Sequence, residues 1–213
     1  MYLHLYNIDS TLVSQQTIIA ILISTRYYMF MSETEQKTIA VLIERLGRII
    51  AADEWGQEIN PSQWTALHYL ARANRFSRSP SNVSDYMTAT RGTVSQTLKA
   101  LARKDLISEV RSDHDKRSIS YSVTDLGQER LQKSGVIDEA LSSMNASEQS
   151  SLRQGLEALA GKALRQKKLK AFGVCKTCVH HRKMGRGGYC ELLDKSLSAE
   201  EITQICHEHS ELA

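Results

Sequence analysis

The stretch Ile107-Ser-Glu-Val-Arg-Ser-Asp-His-Asp-Lys-Arg-Ser-Ile-Ser-Tyr-Ser-Val123 decides the fold of this 213-residue chain. Its second half alternates polar residues with Ile119, Tyr121 and Val123, which is the period of a half-buried antiparallel strand. The first five residues are also typical of a strand, and the charged segment between the two halves favours a turn. The stretch therefore predicts a β-hairpin with a basic tip.

Two short helices are predicted immediately before the hairpin, and Ser81 and Thr90 are suited to cap them. Their apolar residues fall at helical spacing: Val83, Tyr86, Met87, Val94, Leu98 and Leu101. The outer face of the second helix is polar and shows Arg91, Thr93, Ser95, Gln96 and Lys99. Such side chains reach base edges and phosphates, although a polar face alone is more often the solvated face of a helix than a DNA reader.

Two short helices followed directly by a basic hairpin give the order of elements in a winged helix. In that fold the second helix enters the major groove, and the hairpin reaches the flanking minor groove or backbone. Further helices are predicted from Glu33 to about Ala52, from Pro61 onward, from Thr124 through Leu141, and after Ser147. We therefore expect a mainly α (α+β) protein, a winged helix-turn-helix with a helical dimerisation region and a small C-terminal module.

The hairpin resembles the wing of the MarR family of bacterial transcription regulators, in which an Asp-x-Arg turn precedes an apolar strand and a Thr-x-x-Gly. Asp115, Arg117, Thr124 and Gly127 match that pattern, whereas Asp105 stands where many relatives have Gly. The resemblance covers roughly residues 33–170 and implies that Arg117 inserts at the minor groove while Asp115 helps to hold the wing. The expected DNA contacts are Arg91, Thr93, Ser95, Gln96, Lys99, Arg111, Asp115, Lys116 and Arg117.

Apolar stripes from Ile39 to Ile50 and from Leu152 to Leu164 are typical of a protein core. In a MarR-like chain they would pack against a second subunit, because two recognition helices must lie about one DNA turn apart to read a palindrome. We expect a homodimer on a palindromic double-stranded operator, with a small-molecule effector left open. The net charge of +3 permits DNA binding without proving it.

Residues 1–32 are interpreted as an N-terminal arm or a mis-assigned start. The apolar run Ile18 to Ile23 is too short to span a bilayer, and residues 1–16 lack the Lys or Arg that a signal peptide would carry. We expect a cytoplasmic protein with no membrane partner. No triad, paired-carboxylate or phosphate-loop constellation is present in the sequence, so an enzyme is not expected.

All four cysteines, Cys175, Cys178, Cys190 and Cys206, fall near the C-terminus with the spacing C-x2-C-x11-C-x15-C. A C-x-x-C pair places two sulfur ligands on one tight turn, so the cluster indicates a metal site. Disulfides are the alternative, but nothing in the sequence is typical of a secreted protein. We predict a cysteine-rich metal-binding module over residues 171–213, after a MarR-like domain over residues 33–170.

Four cysteines complete a tetrahedral Zn²⁺ site or the corners of a [4Fe-4S] cluster equally well. One knuckle with two separated cysteines favours the cluster, and the order of the cysteines faintly resembles high-potential iron-sulfur proteins. A helix beginning at Ser198 is expected to deliver Cys206, and Gly187-Gly188-Tyr189 to bring Cys190 to the site.

Two functions remain open at this point. The first is a MarR-type DNA-binding regulator, a repressor or activator, that responds to metal or redox state through the module. Because Ala171 directly follows the last predicted dimerisation helix, a change in the module would alter the angle between the recognition helices. The alternative is an iron-sulfur redox or interaction protein that uses the winged helix to bind proteins.

Overall fold

The structure is a computed structural model that describes residues 33–52, 59–111, 119–132 and 135–210. Residues 1–49 and 50–213 form two compact units. Helix α1 spans residues 33–52, as predicted, and its apolar side chains are exposed to solvent. The helical content with a small two-stranded wing confirms the predicted fold class.

The second unit contains six further helices and the hairpin. These elements are α2 (Pro61–Arg72), α3 (Pro80–Met87), α4 (Arg91–Arg103), β1 (Ile107–Arg111), β2 (Ile119–Val123), α5 (Asp125–Leu131), α6 (Val136–Ser143) and α7 (Ala146–Lys167). Strands β1 and β2 pair antiparallel, with Ile107 opposite Val123 and Arg111 opposite Ile119. The predicted hairpin is confirmed.

One apolar core holds α2, α3, α4 and the hairpin together. Its fully or almost fully buried members include Leu67, Leu70, Val83, Val94, Leu98, Leu101, Leu106 and Ile107. On α4, the buried residues recur at the spacing i, i+4 and i+7, so one face of the helix enters the core and the other remains in solvent. Each such side chain contributes about 1.5–3 kcal/mol by its burial, which fixes α4 rigidly beside the hairpin.

The helix caps agree with the sequence in part. Asn60, Thr90 and Thr124 cap α2, α4 and α5, the last two as predicted. The cap of α3 is Ser79, not Ser81, because Pro80 is already preorganised for the first helical position. Likewise Asn145 rather than Ser147 caps α7, where it forms a reciprocal pair with Glu148.

The single helix predicted from Thr124 through Leu141 is wrong, because the structure divides it into α5 and α6. The break falls before Gly135, which has the extended backbone of a residue preceding a helix (φ −94°, ψ 168°). The Asp138 carboxylate accepts a hydrogen bond from the backbone N–H of Gly135 (3.0 Å) and so stabilises the new helix start.

The cysteine segment folds as small sheets packed in the second unit. Strands β3 (Gly173–Val174) and β7 (Ile205–Cys206) pair antiparallel, and β4 (His181–Met184), β5 (Gly187–Cys190) and β6 (Lys195–Leu197) form an antiparallel sheet in that order. The helix expected from Ser198 is wrong: a short 3₁₀ turn, Glu201–Thr203, leads into β7 instead. The pairing of β7 with β3, rather than a helix, delivers Cys206.

None of the helices in the described part of the chain combines the length and apolar character that crossing a membrane requires.

Candidate nucleic-acid interface and cysteine site

Helix α4 presents the predicted base-reading face to solvent. Arg91, Thr93, Gln96 and Lys99 are exposed and Ser95 is half-buried. At the start of the helix, the Thr90 hydroxyl accepts a hydrogen bond from the backbone N–H of Thr93 (3.2 Å). The structure therefore brings these five polar side chains together on one rigid helix, with no apolar partner covering them among the described residues.

The hairpin next to α4 carries the other predicted contacts. Arg111 lies at the end of β1, is exposed, and its Nε donates to Glu109 Oε1 (2.9 Å). Asp115, Lys116 and Arg117 fall outside the described residues, so their part in the site stays a prediction.

Two of the residues that match the wing signature hold α5 against the start of the hairpin. The Thr124 hydroxyl donates to the carbonyl of Asp105 (2.6 Å) and accepts from the N–H of Gly127 (3.1 Å). A Cβ at Gly127 would overlap the carbonyl oxygen of Leu106, so only glycine fits there. Asp105 adopts a left-handed conformation (φ 55°), which explains why glycine suits this position in relatives.

The four cysteines come from different elements and line one small cavity. Cys175 follows β3 and begins a second 3₁₀ turn, Cys175–Thr177, and Cys178 directly follows that turn. Cys190 ends β5 and Cys206 ends β7. The cavity is also lined by the apolar Leu192 and Leu197 and by the polar His180, His181 and Glu208. The segment therefore brings together every cysteine that the spacing predicted as a ligand.

Cys175 and Cys206 are the most closely associated pair. Both are buried, and the hydrogen bond from the Cys175 thiol lowers the pKa of Cys206 to about 5. The same hydrogen bond raises the pKa of Cys175. The lowered pKa favours the thiolate form of Cys206, which is the form in which cysteine binds metals.

Other donors also point at these sulfur atoms. The backbone N–H of Ser210 donates to Cys178 Sγ (3.5 Å), and the side-chain amide of Asn74 donates to Cys175 Sγ (3.2 Å). Hydrogen bonds to sulfur are a regular feature of cysteine ligands, since they stabilise the thiolate and adjust the properties of the bound centre.

Zn²⁺ and a cluster require different spacings of the four sulfur atoms. Tetrahedral zinc with Zn–S bonds near 2.3 Å requires sulfur atoms about 3.8 Å apart. Among the residues that the structure describes, which include all four cysteines, no three His, Cys, Asp or Glu side chains are grouped closely enough to hold one ion. A cluster spaces its ligands farther apart, because each sulfur binds a different iron.

One histidine at the cavity has an unsatisfied polar atom. His181 Nε2 is buried and is the one side-chain N or O in the described part of the chain that combines burial with the lack of a hydrogen-bond partner. Its ring lies against Gly188, where a Cβ would overlap it. A buried, unpaired nitrogen beside four cysteines fits a site that receives a further group.

Sequence reasoning missed Asn74 as part of this site. It lies immediately after α2, 101 residues before Cys175, and is fully buried. No local pattern in the sequence indicates that contact, because Asn74 begins a turn in which the Ser77 N–H donates to its carbonyl (3.0 Å), and asparagine is common at that position whatever its distant partners.

The chain was compared with known proteins. Residues 57–118 match the model of the MarR family. The match does not extend to the cysteine segment. No curated protein matches the sequence. The MarR family consists of DNA-binding transcription factors without enzymatic activity, in agreement with the expectation that this chain is not an enzyme.

Several solved structures are similar. A MarR transcriptional regulator from Methanosarcina mazei Go1 has 21% identity and a TM-score of 0.50, over 62% of this chain and 98% of that one. Streptococcus pneumoniae FabT in complex with DNA has 22% identity and a TM-score of 0.49, over 62% and 99%. The S. aureus MepR–DNA complex has 16% identity and a TM-score of 0.46, over 60% and 96%.

At 21% identity, the likeness to the archaeal regulator bears on the fold alone, and it agrees with the arrangement of α2 to α5 around the hairpin. The family match shows that this region is similar to the MarR family in sequence as well, over residues 57–118. The helix-turn-helix and its wing therefore form a winged-helix domain that matches the MarR family over residues 57–118.

Proposed function

We propose that this chain is a sequence-specific, DNA-binding transcription regulator of the MarR type that acts as a homodimer. The observation that supports it most is the solvent-facing row of Arg91, Thr93, Gln96 and Lys99 on α4, whose opposite face is fixed in the core. A rigid helix with a free polar face beside a wing is the arrangement that a major-groove reader requires.

The side chains of α4 suit different tasks in the groove. Arg91 can donate two hydrogen bonds to guanine, and Gln96 can make a bidentate contact with adenine. Lys99 lies one turn from Ser95 and is a point charge suited to phosphate. Sequence discrimination is therefore assigned to the first half of the helix, and general affinity to its middle.

The apolar residues on the terminal helices support the homodimer. Helix α7 exposes Leu152, Leu156 and Leu159, and α1 exposes Ile43, Leu46 and Ile50. Apolar stripes of this length are normally covered, and a two-fold dimer would cover them while presenting two recognition helices to a palindrome.

We further propose that Cys175, Cys178, Cys190 and Cys206 bind a [4Fe-4S] cluster, in preference to Zn²⁺. The four cysteines that line one cavity, the lowered pKa of Cys206 and the hydrogen bonds to sulfur support a metal centre. The single C-x-x-C knuckle with two separated cysteines favours the cluster. When bound, such a cluster would supply one-electron redox chemistry or a metal-dependent structural link. The four sulfur atoms would hold it, and Leu192 and Leu197 would shield it from water.

The test uses the full-length protein and a random duplex library. Repeated selection should yield a palindromic consensus, and binding to it should weaken with rising salt. Gln96→Ala should then change the order of preference among single-base variants, whereas Lys99→Ala should weaken all of them alike and reduce the salt slope by about one.

A library that yields no consensus would contradict the DNA-binding proposal. If the anaerobically purified protein were nevertheless brown and redox-active, the alternative would gain support, in which the winged helix binds proteins. If Gln96→Ala and Lys99→Ala acted identically on every sequence, the assignment of roles along α4 would be wrong.

A further inference from the structure

Asn74 reaches from the winged-helix domain into the cysteine site. Its side-chain Nδ2 donates to Cys175 Sγ (3.2 Å), and its backbone N–H donates to the carbonyl of Ile205 in β7 (2.9 Å). Ile205 belongs to β7 and Cys175 directly follows the partner strand β3, so both bonds lie where this strand pair brings Cys175 next to Cys206. Asn74 itself is fully buried, so neither bond can be replaced by water without local opening.

The other end of the same amide holds residues 74–79, which we call the connector because they join α2 to α3. Asn74 Oδ1 accepts from the backbone N–H of Phe76 (3.1 Å) and from the hydroxyl of Ser77 (2.7 Å). Rotating the amide by 180° would place NH₂ against these donors and oxygen against the sulfur. The orientation of Asn74 is therefore fixed from both sides.

The connector in turn contacts the elements that read DNA. The Phe76 carbonyl accepts from the side-chain amide of Asn82 in α3 (3.3 Å), and the Arg78 carbonyl accepts from the backbone N–H of Tyr121 in β2 (3.0 Å). Ser79 caps α3. Within a few residues of Asn74, the connector thus bonds to the first helix of the helix-turn-helix and to the wing.

A second set of contacts ties the connector to the end of the cysteine segment. The Ser77 hydroxyl accepts from the backbone N–H of His207 (3.0 Å), next to the ligand candidate Cys206. Arg75 forms an ion pair with the mostly buried Glu201 and donates to the carbonyl of Ser196 (3.0 Å). These contacts dock the segment on the connector, but only Asn74 touches a candidate ligand sulfur from the connector.

We infer that Asn74 is a positioning residue that links the state of the cysteine site to DNA binding, an inference that rests on the proposed function. A sulfur that is part of a metal centre is fixed in position, whereas Cys175 Sγ in the emptied site is free to move away from Asn74 Nδ2 (3.2 Å). Without that bond the Asn74 amide is held from one side only, so its hold on Phe76 and Ser77 loosens, and with it the placement of α3 and β2.

The linkage has a reciprocal consequence. If the occupied cysteine site favours the DNA-binding arrangement of the connector, DNA must favour the occupied site by the same factor. Coupling between distant sites in proteins commonly amounts to about 5- to 150-fold in affinity. DNA should therefore slow the loss of iron from the protein.

Asn74→Ala tests the inference, with Gln63→Ala as the matched control. Both side chains are buried amides, but the side chain of Gln63 bonds to Asn60 and Lys104, away from the connector and the sulfur atoms. Each full-length protein is reconstituted anaerobically with Fe²⁺ and sulfide, and in parallel with Zn²⁺, and its affinity for the selected duplex is measured before and after chelator treatment. A further readout is the visible spectrum and midpoint potential of the iron-loaded form.

Stripping should lower the affinity of the wild type for the duplex about tenfold or more. The ratio of loaded to stripped affinity should fall close to one in Asn74→Ala and stay at the wild-type value in Gln63→Ala. The midpoint potential should shift in Asn74→Ala alone, since hydrogen bonds to the sulfurs set it. Equal affinity of loaded and stripped wild type, or an unchanged ratio in Asn74→Ala, would overturn the inference and leave the proposed DNA binding intact. Absence of DNA binding in every form would overturn both.

A measurement on the wild type alone covers the case in which Asn74→Ala does not fold. Hydrogen exchange at the backbone amide of Phe76 should accelerate when the loaded protein is stripped, because its bond to Asn74 Oδ1 is released. Unchanged exchange at this amide would overturn the inference regardless of any variant.

Discussion

Gly127 determines how closely α5 crosses the residues at the start of the hairpin. No side chain fits between it and the Leu106 carbonyl, and Thr124 bonds to both sides of the crossing. The match to a Thr-x-x-Gly signature thus has a structural cause at this position, and DNA contact plays no part in it.

Gly127→Ala should destabilise the protein by about 1–3 kcal/mol, because the new Cβ would force the backbone of α5 away from Leu106. Gly161→Ala is the control. It also lies in a helix, where its Cβ would meet only the flexible end of Arg165, so it should gain up to about 1 kcal/mol. Urea unfolding of both variants measures their free energies of unfolding. If Gly127→Ala were as stable as the wild type, the contact between α5 and the Leu106 carbonyl would not be as close as described.

Residue types predicted the capping of helices well where the cap was followed by an unambiguous apolar pattern. Thr90 and Thr124 were identified in this way. Ser81 was predicted as a cap, whereas the structure begins α3 at Pro80, a residue that favours the first helical position and so makes Ser79 the cap. Asn74 could not have been found, because its partner sulfur lies 101 residues away and only tertiary packing brings them together.

At the scale of elements, the wing was the most predictable part of the chain. Alternating apolar residues predict which face of β2 is buried. The strand-like residues 107–111, separated from β2 by a charged segment, predict its partner strand. The cysteine segment was less predictable, because strands of two to four residues carry too little periodicity to be distinguished from a helix. Cys206 was expected on a helix for that reason, and the structure places it on β7.

The wing yields a prediction about DNA affinity. If Arg117 inserts at the minor groove, Arg117→Ala should weaken binding to the selected duplex by about 1–3 kcal/mol and leave thermal unfolding unchanged. The loss should be larger at low salt, since one phosphate-facing charge disappears.

Arg153→Ala provides the comparison, because Arg153 is an exposed helical arginine on α7 that pairs with Glu157 (2.8 Å) and lies outside the wing. The affinity of Arg153→Ala for the selected duplex should match that of the wild type. Equal affinity of Arg117→Ala and Arg153→Ala would remove the wing from the DNA interface.

For the whole molecule, two routes could connect the cysteine segment to DNA. The sequence suggested the covalent link through Ala171 to the last helix, which would act on the angle between recognition helices. The structure adds a route within the same compact unit, through the connector, with hydrogen bonds to both α3 and β2. The two routes differ in a testable way, because only the second depends on the side chain of Asn74.

The exposed apolar face of α7 carries the last prediction. The protein should be a dimer at micromolar concentration, and Leu156→Glu should raise the dissociation constant of the dimer at least about 100-fold, since an unpaired charge would be buried in the interface. Gln154→Glu introduces a similar side chain on the opposite face of α7 and should leave the dimer intact. Light scattering across a dilution series distinguishes the two variants.

Leu156→Glu should also lose the preference for a palindrome over a single half-site, because a monomer presents only one α4 to the DNA. A wild type that remained monomeric while binding the palindrome tightly would contradict the dimer and assign these leucines to another contact.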